Sequence, residues 1–234
     1  MVNLPASIEA YGMDDVANHV VPWQFARWFD VFSGHAKAFE GLIQHVEANA
    51  GIKRNYIHEQ SDGDPVELFL VSMAWGYGNV GYGPSRVAKI LTQPEAQVKL
   101  ATIVGATRTH GAAAGWKALL RTDRIKGLGM AFGTKLLYFS GYSQAHRPPP
   151  LILDAFVRRA LYRQLDPTAP AIDPKMPARS LVHLDDCLRY LELAEASSDR
   201  LGSPEVLEYA LFDLGKRLRN GGGIQRDGIP CKLG

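Results

Sequence analysis

Residues 124–139 read R-I-K-G-L-G-M-A-F-G-T-K-L-L-Y-F, and an aspartate, Asp154, stands 19 positions after Lys135. Each residue type here suits a definite piece of chemistry. A turn of the form apolar-x-Gly-apolar-Gly ahead of a helix aims free backbone N–H groups and a positive helix end at an anion. Ile125 and Leu128 can anchor such a turn, Gly127 and Gly129 can admit a phosphate, and Lys126 adds a cation. A neutral lysine amine is a nucleophile that forms a Schiff base with a sugar carbon. A fixed carboxylate stabilises the positive charge that gathers on a sugar as its N-glycosidic bond breaks. The bland alternatives are an ordinary connector, a solvated or phosphate-facing Lys135, and an Asp154 that only caps a helix.

These residues need a scaffold, and the chain has the bulk for one. At 234 residues, 46% hydrophobic and 21% charged, it reads as a globular protein able to bury a real core. The start, MVNLPASIEAYGMDD, lacks a basic stretch followed by an apolar block, so no secretory leader is expected. No run approaches the length of a membrane span, and membrane insertion is not expected. Cys187 and Cys231 are the two cysteines, which fits a reducing, cytoplasmic setting and excludes four-cysteine zinc sites and iron–sulfur ligation. With no H-E-x-x-H and no close histidine pair, neither a metal nor another cofactor is called for.

Charge is segregated along the chain. Residues 1–75 hold 4 basic and 10 acidic side chains, residues 117–163 hold 9 and 2, and residues 164–214 hold 4 and 10. A basic middle between acidic flanks suits a protein that meets phosphates along one face.

The apolar spacing is overwhelmingly helical. Helices are expected over 22–50, 64–75, 84–92, 94–109, 112–122, the segment carrying Phe132, Leu136 and Phe139, 154–165, 180–196 and 204–219. Convincing β-alternation is nearly absent, so the fold class is all-α. GYGNVGYG (76–83) contains a literal G-x-G-x-x-G, but helix precedes it and no βαβ unit follows, which removes the dinucleotide reading. What remains is a glycine-rich turn that is either a plain connector or a loop whose aromatics stack on or wedge into a ligand. Gly221-Gly222-Gly223 opens a basic tail over 220–234.

A glycine hairpin, a lysine in G-T-K and an aspartate 19 positions on together resemble the helix–hairpin–helix DNA glycosylases of the 8-oxoguanine glycosylase type. The resemblance covers roughly residues 64–219, with its core at 127–159. It implies two helical lobes flanking a DNA-binding cleft. One lobe comprises 1–63 with 150–219, and the other, 64–149, carries the hairpin. It also implies Lys135 as the sugar nucleophile and Asp154 as its carboxylate. In that family the lysine follows the hairpin's second glycine by two positions, whereas Lys135 follows Gly129 by six. Positions 131 and 135 share a helical face, so an amine reaches the same cleft from either. Members without the lysine use an aspartate-assisted water and leave the abasic site uncut. SPEVLEYALF (203–212) is similar to the family's last helix, which places Glu208 and Phe212 against the extruded base. PSRVAKIL (84–91) places Arg86 near the orphaned partner base, with Tyr82 as the candidate wedge and Arg158 among the backbone-holding arginines.

The implied function is excision of a damaged or modified base, oxidised guanine or a phage-type base. The implied partner is double-stranded DNA with one nucleotide flipped out, bound by a monomer, with AP lyase activity as a second step. Two other readings stay open: a non-catalytic helix–hairpin–helix DNA-binding protein, and an interaction scaffold with no nucleic-acid role.

Overall fold

A computed structural model describes residues 4–165 and 183–219. The basic tail and Cys231 lie outside the described residues. The elements run α1 (Ala6–Glu9), α2 (Met13–Ala17), β1 (Val20–Val21), two 3₁₀ turns (Phe25–Arg27 and Phe29–Phe32), α3 (Ala36–Asn49), β2 (Ile52–Lys53) and α4 (Arg54–His58). Then follow α5 (Pro65–Tyr77), α6 (Gly83–Leu91), α7 (Ala96–Lys117), a π-helical turn (Ala118–Thr122), α8 (Met130–Ser140), α9 (Ala155–Gln164), α10 (Leu184–Ala196), α11 (Ser198–Leu201) and α12 (Pro204–Arg219). The fold is all-α. Its described sheet is one antiparallel pair, Val20 opposite Lys53 and Val21 opposite Ile52.

α5 is the central helix. Asp64 caps it, its Oδ1 accepting from Val66 and Glu67 N–H at 2.9 and 3.0 Å, and Pro65 occupies the first turn, where a missing N–H costs nothing. Val66 and Leu68 through Trp75 are all buried, as a helix apolar on every side must be. α6, α7 and α8 pack on α5, while α12 packs against α9, α10 and α2. No described helix is long and apolar enough to cross a membrane.

One expectation changes. The single helix expected over 22–50 is broken: residues 25–32 form 3₁₀ turns and α3 starts at Ala36, after Gly34 at φ +87°. Trp23, Trp28 and Phe32 are buried, so the aromatic spacing there reports core packing rather than one continuous helix. The expected boundary between 94–109 and 112–122 is present inside α7: Gly111 (φ +79°, ψ −170°) is non-helical and separates two helical stretches, the second of which runs into the π turn.

Candidate active site

The turn ahead of α8 is built as its residue types dictate. Ile125 and Leu128 are buried anchors, and Leu128 N–H closes the turn on Ile125 O at 3.1 Å. Gly127 sits at φ +93°, a conformation that favours glycine. Gln93 clamps the turn from outside, donating to Lys126 O at 2.8 Å and accepting from Lys126 N–H at 3.2 Å. Lys126, Gly127 and Gly129 are exposed, and Gly129 is the N-cap residue of α8. The start of α8 therefore faces solvent with a cation beside it.

Lys135 lies in the second turn of α8 and is buried, 7% exposed. The solvated reading of this lysine is thereby set aside: α8 is buried on every side from Gly133 to Ser140. A helical side chain points back toward the N-terminus. Accordingly Nζ donates to Ala131 O at 3.3 Å, one turn earlier, and to Asp154 Oδ2 at 3.1 Å. The faces of Trp75 and Phe132 lie 6.0 and 5.6 Å from Nζ. Gly76 leaves the room: a Cβ there would stand 3.0 Å from Lys135 Cδ and 3.1 Å from the Phe132 ring.

Asp154 is set by the segment that precedes it. Leu151, Ile152 and Leu153 thread the core, with Tyr190 of α10 donating to Ile152 O at 3.1 Å. Leu153 N–H donates to the buried Thr134 Oγ1 at 3.0 Å. Neighbouring residues on one side thus hold neighbouring residues on the other, Thr134 with Leu153 and Lys135 with Asp154. Asp154 Oδ1 meanwhile accepts from Phe156 and Val157 N–H at 2.9 and 3.1 Å, capping α9. The cap and the ion pair use different oxygens of one carboxylate.

A second buried pair stands behind the first. Glu208 of α12 is 1% exposed and accepts from Arg54 Nη1 at 2.5 Å, the guanidinium itself being 2% exposed. Burial pushes the Glu208 carboxyl up and Arg54 pulls it back. Burial works against the Arg54 charge, but Glu208 and Tyr138 hold it firmly in place. The guanidinium also lies 5.3 Å from the Trp75 ring and 5.7 Å from Tyr209. Tyr138 donates to Glu205 and contacts His58 Nε2 at 2.9 Å. Burial first, then the Arg54 charge, pushes the His58 imidazole down to about 3.

His19 completes the surround. Its ring lies 5.8, 5.3 and 5.6 Å from Trp75, Tyr209 and Phe212, and burial, with Arg54 next, lowers it to about 4. Among the described residues His19 Nδ1, Trp75 Nε1 and Glu208 Oε1 are buried with no hydrogen-bond partner.

Of the residues singled out in the sequence, the fold joins Lys135, Asp154, Glu208 and, at the aromatic edge, the half-buried Phe212. Glu208 reaches the site already paired with a cation rather than as a lone acid. Tyr82 and Arg86 are exposed on the loop after α5 and on α6, with the Arg86 guanidinium 5.7 Å from the Tyr82 ring. Arg158, on α9, is 4% exposed and so lies inside the molecule rather than on its surface. Arg54, His19, Trp75 and Thr134 had no signal in the sequence. Arg54 and Glu208 lie 154 positions apart, and no spacing rule links them.

A family model described as "Putative 8-oxoguanine DNA glycosylase OGG-like protein" matches residues 14–212. The chain belongs to this family. No curated protein and no solved structure matches it. OGG-like membership points to a DNA glycosylase-type or DNA-binding function, and the match extends well before residue 64, where the resemblance in the sequence began.

Proposed function

We propose that this OGG-like protein is a DNA N-glycosylase that flips a damaged or modified base out of duplex DNA and excises it through Lys135 and Asp154. The observation that carries this reading is the buried pair: Nζ lies 3.1 Å from Asp154 Oδ2, while Oδ1 is fixed by two backbone N–H groups. A carboxylate held in place needs little reorganisation when charge develops beside it.

In this reading the lobes 1–63 with 150–219 and 64–149 flank the DNA cleft, and one monomer binds one duplex. Phosphates sit against the exposed turn at Lys126, Gly127 and Gly129. Rotating the base out costs roughly a few kcal/mol. Tyr82, stacked in the gap, returns about 1–3 kcal/mol of it. The extruded base enters the surround of His19, Trp75, Glu208 and Phe212, where unpartnered polar atoms read its edge.

Attack requires Lys135 as the neutral amine, and Asp154 is the proton acceptor within reach. The Nζ lone pair bonds to the sugar C1′ as the C1′–N bond breaks, and that electron pair leaves with the base, which takes up a proton. Loss of a second proton from Nζ, with opening of the sugar ring, gives a Schiff base from which strand cleavage can follow. Asp154 passes the proton it accepted from Nζ to the departing base, and its carboxylate, ionised again, stabilises the positive sugar. Candidate substrates are an 8-oxoguanine-like base or a phage-type modified base.

Borohydride trapping on duplexes carrying a panel of modified bases tests this. A covalent adduct is expected, and Lys135→Gln should abolish it. Asp154→Asn keeps a capping oxygen but loses the charge, so base release should fall roughly 10²–10³-fold with DNA affinity retained. Base release without an adduct would assign a water-using enzyme and demote Lys135. Salt-sensitive binding with no release from any duplex would make the protein a non-catalytic DNA binder.

A further inference from the structure

We infer that Arg27, on the 3₁₀ turn that follows β1, belongs to the DNA surface and contacts the strand opposite the flipped nucleotide. This rests on the glycosylase reading above. The Arg27 guanidinium lies against the loop after α5: its Nη1 stands 3.1 Å from where a Cβ at Gly81 would be. Tyr82, the next residue, is 59% exposed, and Arg86 holds its guanidinium 5.7 Å from that ring. Two cations from separate parts of the chain thus meet one loop that carries an exposed aromatic, Arg27 at Gly81 and Arg86 at Tyr82.

The neighbourhood is unusual for a solvated surface. Phe25 and Phe29, on either side of Arg27, are 47% and 69% exposed, and Val80 is 43% exposed. Aromatic side chains interleaved with arginines are a surface on which bases and phosphates bind. Arg27 is one of 4 basic residues within 1–75, a stretch with 10 acidic ones, and among the described residues it makes no ion pair.

The strip also connects to the candidate site. Lys135 packs on Gly76, Phe132 stacks on Tyr77 at 4.0 Å, and Tyr77 meets Tyr82 edge-on at 5.8 Å. A strand whose sugar sits at Lys135 therefore leaves the Tyr82 side of the gap to its complement, and Arg27 lies on that side.

The test is fluorescence anisotropy with the full chain on two probes over a range of salt: a duplex with a tetrahydrofuran abasic site, and the same lesion strand alone. For Arg27→Ala, duplex affinity should drop about tenfold and the log Kd–log salt slope should fall by about 1, with Arg27→Lys keeping the slope. The single strand should bind both variants as it binds the wild type. Wild-type duplex binding with an unchanged Arg27→Ala overturns the assignment, as does an equal loss on the single strand. If the wild type binds neither probe even at low salt, the glycosylase reading itself falls and takes this assignment with it.

Discussion

Asp154 divides its two oxygens between two tasks, and the division lets a helix cap also serve as the carboxylate of the proposed reaction. Oδ1 is held by Phe156 and Val157 N–H, so the carboxylate cannot rotate away, and Oδ2 is left for Lys135. The lysine is placed as tightly. Ala131 O, Trp75, Phe132 and the bare backbone of Gly76 define its channel. Gly76→Ala is the sharpest probe of that channel. The new methyl would press on Lys135 Cδ, while alanine in a helix offsets the crowding by up to about 1 kcal/mol. The melting temperature should stay near wild type and borohydride trapping should slow roughly ten- to a hundredfold. Lost stability with trapping intact would show that the lysine's placement is not what the glycine protects.

At the scale of elements, the Lys135–Asp154 pair joins α8 to the start of α9, and the Arg54–Glu208 pair joins α4 to α12. Removing one partner of a buried pair strands the other charge, which is costly, whereas replacing both with apolar residues is often tolerated. Glu208→Ala should therefore lose about 3–5 kcal/mol of unfolding free energy in urea denaturation. Arg54→Met combined with Glu208→Leu should recover most of that loss. If the single and double variants lose the same amount, the pair is not a coupled unit. Such long-range ties explain what could be read beforehand. Asp64-Pro65 announced α5 and Gly111 announced a boundary because capping and backbone conformation are local. The supposed 22–50 helix failed because Trp23, Trp28 and Phe32 owe their spacing to distant partners in the core. Arg158 likewise follows the basic composition of its segment, but the packing of α9 takes it inside.

For the molecule as a whole, burying two uncharged histidines ties stability to pH. His19 and His58 fall from about 6.5 in the unfolded chain to about 4 and about 3 in the fold. Between those values the unfolded state binds the extra protons, so stability is complete above pH 6.5 and is lost as pH falls toward 4 and then 3. Each histidine contributes at most about 1.4 kcal/mol per pH unit to that slope. Urea denaturation at pH 7, 6 and 5 should show the decline, and His58→Gln should flatten it. An identical slope in that variant would remove His58 from the account.

Composition, helical periodicity and the positions of Gly127, Gly129, Lys135 and Asp154 were enough to indicate an all-α protein with an amine, a carboxylate and an anion-facing turn, because these depend on residue type and short spacing. Tertiary packing alone decided that the amine is buried, that Thr134 sets its partner in register, that Glu208 arrives neutralised by Arg54, and that Arg27 lies against Gly81 in the loop that carries Tyr82. Those outcomes depend on contacts between distant parts of the chain and on the exclusion of water, and neither leaves a periodic trace in the order of residues.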